Sequence, residues 1–364
     1  MASRANELIK SYSLSSAELP AVCTAMPVPP WKDIAQYVHT DLMMSITKLS
    51  PPALIKASVS ITMDYRYEDV TLIYTDGSKG EVNGEARAGA ALTVPSYGHQ
   101  QAWRLPSEHS ILAIEMFAIL QAFRWVLEAV PPKDVAILTD SLSSLLIIKA
   151  GSSKCKCPLL LKRIQECYLG LMGINTRVWL QWVPGHAGVA GNEQADKLAK
   201  ASCRDANVIP FPLSYNDSRI ATRVALHSHW QTCWAHKKHS YHLGQIKSVV
   251  KPWCWAQHKQ RSHETLLAQL RLGCVGLNGP LYKIRRTQSP NCNNCGVYED
   301  VAHFLLICPA YLNQRCTLFA NVLAAGCASP TLQVLLGGGG FSPHKNAKIT
   351  QYTINYVEAT ARFQ

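Results

Sequence analysis

No run of 18 or more apolar residues occurs in this 364-residue chain, which excludes a membrane-spanning helix, and no membrane partner is expected. Charge is also sparse: 16% of residues are charged against 48% hydrophobic, so wholesale disorder is excluded and material for two or three cores is present. The opening "MASRANELIK" lacks a positively charged start followed by an apolar signal core. With that opening, an odd count of 13 cysteines leads us to expect reduced thiols in a soluble, intracellular protein, nuclear or cytoplasmic. Internal repeats are lacking too.

Acids are scarcest in one place. Residues 204–290 hold 13 Lys or Arg against 3 Asp or Glu, whereas residues 71–203 hold 13 against 11. Most of the net charge of +12 therefore lies in one segment. Such a segment suits a polyanion, with nucleic acid the first candidate, or else forms a solvated basic face. Aromatic residues interleave with the basic ones in "HWQTCWAHKKHSYHLGQ" and "VVKPWCWAQHKQR". Trp230, Trp234, Trp253 and Trp255 read equally as helix-packing residues or as stacking surfaces for bases.

Residues 1–68, with proline pairs at 29–30 and 51–52, lack sustained periodicity and read as an irregular lead-in with a little helix. From Val70 the pattern sharpens into a strand, and "ARAGAALTV" and "QQAWRL" extend it to an antiparallel meander. "SILAIEMFAILQAFRWVLEAV", closed by Pro131 and Pro132, predicts a helix. "VAILTDS" then reads as a buried strand, "SLSSLLIIKAG" and "LLLKRIQECYLGLMG" as helices, and "TRVWLQWVPG" as a strand. "NEQADKLAKASC" opens a further helix, with Asn192 as candidate N-cap. A meander followed by alternating strands and helices predicts an α/β domain over residues 69–203 with a mixed sheet and helices on its faces.

Two apolar strands each end on an aspartate, in "LIYTDGS" and "AILTDSL". If those strands are neighbours, roughly 4.8 Å apart, Asp76 and Asp140 can share one cation, although each alone is equally an ordinary turn residue. Glu115 sits in an almost wholly apolar helix, where a carboxylate is costly unless it meets a metal or an arginine from elsewhere. Residues 185–196 read Gly-His-x-Gly-x-x-Gly-Asn-Glu-x-x-Asp, with His186 in a flexible loop and Asp196 in the following helix. Asp196 is also placed for an ion pair with Lys200, as Glu193 is with Lys197.

In motif order, "YTDGS", a Glu in an apolar helix, "TDS" and "GHAGVAGNEQAD" resemble the type 1 ribonuclease H domain, in particular the form carried by retroelements without long terminal repeats. The resemblance covers about residues 70–202. It implies a five-stranded mixed sheet and a metal-dependent endonuclease acting on the RNA strand of RNA/DNA hybrids. It also implies two Mg²⁺ or Mn²⁺ ions, for which carboxylates are suitable ligands. Asp76 would bridge them, with Glu115 and Asp140 completing one shell and Asp196 the other; His186 would help move protons or release product. Gly77 and Ser78 would lie beside the scissile phosphate. Between two helices only "GSSKCKCP" occurs, so the basic protrusion of some relatives is reduced or missing. The competing class is a non-catalytic nucleic-acid-binding protein that retains the fold; a transposase or integrase of related fold fits the His-to-Asp signature less well.

Cys292-x2-Cys295-x7-His303-x4-Cys308 matches a closed tetrahedral Zn²⁺ site, or else four unmetallated buried residues. The Cys-Cys-His-Cys segment at 291–316, with "LRLGCVGLNGPLYKI" upstream in the basic region at 204–290 and "CPAYLNQR" downstream, resembles over about residues 215–320 the part that follows the ribonuclease H domain in the same polyproteins. Gly273-Cys274-Val275 stands where those relatives have Gly-His-Thr. A mainly helical zinc-bearing segment is therefore expected, then a tail at 317–364 with one late amphipathic helix. No Tyr-x-Asp-Asp polymerase turn occurs. The resemblance makes a reverse transcriptase of the same element an implied partner.

Overall fold

The computed structural model describes residues 33–42, 50–129, 134–151, 155–251 and 260–363. They fall into two compact units divided after Val224.

The first unit is built on a six-stranded sheet of order β1-β6-β5-β2-β3-β4. Strands β2 (Thr71–Val82), β3 (Glu85–Val94) and β4 (His99–Leu105) form the antiparallel meander, while β5 (Asp134–Thr139) and β6 (Arg177–Trp182) run parallel to β2. Alternate residues serve opposite faces, as the period of a strand requires. On one face Ile73, Ile137 and Leu180 pack with α2 (Ile111–Glu128), α3 (Leu142–Ala150) and α4 (Pro158–Gly173). On the other, Tyr74, Ala136 and Leu138 meet α1 (Pro52–Arg66) and α5 (Ala190–Ser202). Ser110 caps α2, its Oγ accepting from the Ala113 N–H at 3.4 Å.

Five strands were expected; the sixth comes from the stretch read as an irregular lead-in. There Val38–His39 form β1, parallel to β6, and α1 covers the second face of the sheet. A polar network ties them down. Arg66 donates to both carboxylate oxygens of Asp41 at 2.9 and 2.8 Å and to Gln181 Oε1 at 3.0 Å. The buried Tyr67 hydroxyl donates to the same Gln181 oxygen at 2.9 Å, and burial pushes its pKa upward. Beyond α5 the chain remains with this unit. The Ile209 N–H donates to Arg104 O at 2.8 Å along the outer side of β4, and Phe211 meets Phe117 edge-on at 5.1 Å. That strap covers a sheet edge that would otherwise expose its backbone groups.

The second unit is helical. Leu267 and Leu270 of α8 (Arg261–Leu272), Leu318 and Val322 of α10 (Leu312–Ala324), and Ile349, Ile354 and Val357 of α12 (Pro343–Thr360) share one core with Phe304. The late helix is thus part of the packing around the Cys/His segment: the Tyr356 hydroxyl donates to Phe304 O at 2.7 Å and Arg362 pairs with Glu299 at 2.8 Å. In the part of α6 (Tyr215–Lys237) that belongs to this unit, Trp230 is exposed, while the half-buried Trp234 donates from Nε1 to Lys247 O at 2.9 Å. Trp253 and Trp255 lie outside the described residues, as do residues 152–154 of the short Gly-Ser-Ser-Lys connection.

Because α1 buries Val59 and Met63 against the sheet, removing residues 1–68 is expected to lower the urea midpoint of the first unit. Met63→Ala alone should cost about 2 kcal/mol. Midpoints unchanged in both proteins would put α1 outside the cooperative unit.

Candidate active site

The last parallel pair of β2 and β5 is Thr75↔Thr139. Asp76 and Asp140 are the next residue on each strand, at the point where β5 ends and β2 continues alongside β3. The register therefore sets the two aspartates side by side. Glu115, in the second turn of α2, reaches the same corner. One carboxylate oxygen from each of Asp76, Glu115 and Asp140 lies within 4.8 Å of the others.

Two glycines make room for this. A Cβ on Gly77 would stand 3.0 Å from the Glu115 amide nitrogen and Cδ, and one on Gly185 would overlap the Asp140 carboxylate. Neither position has space for a side chain. Asp140 is held further by the Asn192 side chain, while its backbone oxygen accepts from Trp182 Nε1 at 3.1 Å. Asn192, expected to cap α5, lies within the helix, and the N-cap is Val189, which has no side chain to bond the helix amides. Its amide serves Asp140 instead.

The electrostatics are unfavourable as they stand. Burial first, then the charges of Asp140 and Asp196, push Asp76 up to about 7. Burial, with the charges of Asp76 and Asp140, holds Glu115 well above its ordinary range. Asp140 is also raised by burial, with the His186 imidazole and the Asn192 amide pulling the other way. Glu115 Oε2 is buried and has no hydrogen-bond partner among the described residues. Crowded oxygen donors of one sign, with one oxygen lacking a partner, are the environment a hard divalent cation fits.

Asp196 stands apart from these three. Its Oδ2 accepts from Lys200 Nζ at 2.7 Å, and it groups with Glu193 and His186, whose ligand atoms lie with its own within 4.8 Å of one another, while its charge still reaches Asp76. His186 is exposed and has a left-handed backbone, φ 55°. Glu193 was not singled out by the sequence reading except as a partner for Lys197. In the structure its Oε1 accepts from the Gly188 N–H at 3.3 Å, which holds the loop that carries His186. Its i,i+3 spacing from Asp196 was the available signal.

Residues 68–204 match the family described as RNase H. These residues are an RNase H domain. The mixed sheet with flanking helices agrees with that family. Among solved structures, the chain is similar to the native protease-reverse transcriptase of prototype foamy virus, at 23% identity and a TM-score of 0.30 over 37% of this chain. A foamy viral protease-reverse transcriptase in complex with dsDNA matches at 22% identity and TM-score 0.30 over 38% of this chain and 96% of that one. The chain spans about a fifth, 21%, of the first of these.

Outside the RNase H domain, the second unit gathers Cys292, Cys295, His303 and Cys308, all with ligand atoms within 4.8 Å of one another. Cys292 Sγ is 3.8 Å from Cys308 Sγ, and Cys295 Sγ is 3.4 Å from His303 Nε2. Burial pushes the Cys292 thiol up, but hydrogen bonds from the Asn294 amide, His303 and Cys295 outweigh it and leave the thiol at about 7. Burial pushes Cys308 up to about 11. Asp300 Oδ1 accepts from the His303 N–H at 2.7 Å and sets the turn that presents the imidazole.

The raised carboxyl pKa values carry a sign for stability. The folded state binds these protons more tightly than the unfolded one, so their contribution falls as pH rises from about 3.8 through about 7 for Asp76, and over a range starting near 4.5 for Glu115. In EDTA at pH 8, Glu115→Gln should therefore raise the melting temperature of the first unit by roughly 2–4 °C. It should also remove most of the stabilisation that Mg²⁺ gives the wild type. A variant that melts lower than wild type in EDTA would mean that the carboxylates are held by something other than a missing cation.

Proposed function

We propose that the RNase H domain is a metal-dependent endonuclease that hydrolyses the RNA strand of RNA/DNA hybrids. The observation that carries this reading is the convergence of Asp76, Glu115 and Asp140, with a buried Glu115 oxygen that has no partner among the described residues. Asp76, Glu115, Asp140 and Asp196 would hold two Mg²⁺ or Mn²⁺ ions, which supply Lewis acidity to the attacking and leaving oxygens of an in-line displacement. The protein's part is positioning. Gly77 holds Glu115 against β2, and the Asn192 amide fixes Asp140. Gly77 and Ser78, beside the acids, are the proposed contacts to the scissile phosphate. The exposed His186 would carry protons to and from solvent.

Asp196 must leave Lys200 to join the others. The Lys200 side chain is 56% exposed and that of Asp196 16%, and an i,i+4 pair on a helix contributes only about 0.3–0.5 kcal/mol. The exchange is therefore easy. A hybrid would be recognised through backbone shape and 2′-hydroxyls.

The same reading makes the chain part of a retroelement polyprotein, or a product of one, with a reverse transcriptase as its natural partner. Cys292, Cys295, His303 and Cys308 would hold one Zn²⁺ of structural type, because three thiolates and an imidazole fill a tetrahedral shell.

Incubated with a labelled RNA/DNA hybrid in Mg²⁺, the full chain is expected to cut the RNA strand and leave duplex DNA and duplex RNA intact. Asp140→Asn should lower the rate at least 100-fold, following the loss of a charged ligand. Tight hybrid binding with no cleavage in Mg²⁺ or Mn²⁺ would make the domain a binding module. Metal analysis should find about one zinc per chain, lost in Cys308→Ser.

A further inference from the structure

The second unit carries a cavity that neither metal cluster accounts for. It has a volume of about 240 Å³ and is lined in part by His239, Tyr241, His242, Lys283, Tyr298 and Asp300. That is smaller than the roughly 300–1,000 Å³ of sites for drug-sized ligands, so it suits a fragment of the size of a single base. The unit around it, residues 225–364, has 14 Lys or Arg against 4 Asp or Glu, and so carries +10 of the chain's +12.

We propose that this cavity is a nucleotide subsite that takes one base and its phosphate from a single-stranded nucleic acid. The proposal rests on the reading of the chain as a nucleic-acid-handling protein, and it does not depend on hybrid cleavage.

The aromatic walls are organised before any ligand arrives. Tyr241 is 54% exposed, and its ring lies nearly parallel to that of Trp234, at 5° and 6.4 Å between centroids. Trp234 is itself fixed by its bond to Lys247 O. Tyr298 is 41% exposed, and its backbone forms an isolated antiparallel bridge with Asn291. Gly279 lies so close beneath it that a Cβ there would come 2.8 Å from the Tyr298 ring. Two fixed, partly exposed phenol rings offer stacking faces at little cost in side-chain freedom.

The polar groups divide the work. Lys283, which lines the cavity, ends α9 (Asn278–Lys283) and supplies a phosphate-neutralising charge, and the exposed Arg285 and Arg286 follow it in the chain. Asp300 is a poor neighbour for phosphate and a good acceptor for the exocyclic amine of cytosine, adenine or guanine. One of its oxygens already receives the His303 N–H, so the base-reading carboxylate is anchored to the Cys/His cluster. The cluster and the cavity thus share a loop, and folding one shapes the other.

The test is fluorescence anisotropy of the full chain with labelled 12-nucleotide single strands, one of RNA and one of DNA, at several salt concentrations. Tyr298→Ala and Tyr241→Ala should each weaken binding roughly ten-fold, the loss of one stacked base. Lys283→Gln should weaken it about three-fold and reduce the slope of log K against log salt by about 0.7. Lys348→Gln removes an exposed charge that does not line the cavity and should change binding less than two-fold. Tyr298→Phe keeps the ring, should bind within two-fold of wild type, and shows that a loss in Tyr298→Ala is not misfolding. Preference for one strand type would name the source of the nucleotide.

Equal losses in Lys283→Gln and Lys348→Gln with no effect of the tyrosine variants would overturn the subsite in favour of bulk charge. So would displacement of the strand by polyglutamate as readily as by unlabelled oligonucleotide. Wild-type strand binding without hybrid cleavage would sink the nuclease reading alone, whereas cleavage with unchanged strand binding in all variants would sink the subsite alone.

Discussion

Carboxylates that approach one another in a partly buried place repel, and folding has to hold them there by other means. At the corner where β5 leaves β2, the holding is done by the apolar core. Ile114, Met116, Ile119 and Phe123 are fully buried around Glu115 and fix the rotation of α2. The β2–β5 register, locked by five consecutive parallel pairs, fixes the two aspartates. A carboxylate in such a frame cannot swing out to water without breaking the packing behind it. The protein therefore keeps an arrangement that is unfavourable by itself, and the divalent cation proposed for this site would remove the penalty.

That same frame explains which parts were readable from the chain alone. Asp76 and Asp140 each end an apolar run, and Glu115 is the one charge between His109 and Arg124; the run marks the element and the charge marks the exception. β1 was unreadable because two residues carry no period. In α1 the stripe is blurred, since Ile61 and Tyr65 are 67% and 90% exposed on the side away from the sheet. Helix α12 was legible as an amphipathic helix but not as part of a core. Its inner face includes Asn346, Thr350 and Thr353, whose buried side chains bond to backbone, as Thr353 Oγ1 does to Leu335 O at 2.8 Å. Polar residues satisfied in this way dilute the hydrophobic pattern without weakening the packing.

Asn192 shows a different kind of miss. Local preference put it at the helix start as a cap, and the structure places it within the first turn, where its amide meets Asp140. A cap contributes about 1 kcal/mol, whereas an amide that orients a buried carboxylate offsets a larger penalty. The long-range need prevailed over the local one. No side chain caps the helix start, and Glu193 instead takes the N–H of Gly188, the residue before the N-cap.

The candidate site thus has two parts of different stiffness. Asp76, Glu115 and Asp140 stand on strands and on a helix buried along most of its length, and their geometry is set before any ligand binds. Asp196, Glu193 and His186 stand on the first turns of α5 and on the loop before it, where His186 takes a left-handed backbone and Lys200 competes for Asp196. A reaction that must bind a polyanion, cleave it and let two charged ends go needs both properties. For the proposed cleavage, the rigid side would hold charge at the scissile group, and the adjustable side would exchange Lys200 for a cation and back. Stiffness is supplied by burial, adjustability by exposure, and the chain changes from one to the other between Trp182, the end of β6, and Ala190, the start of α5.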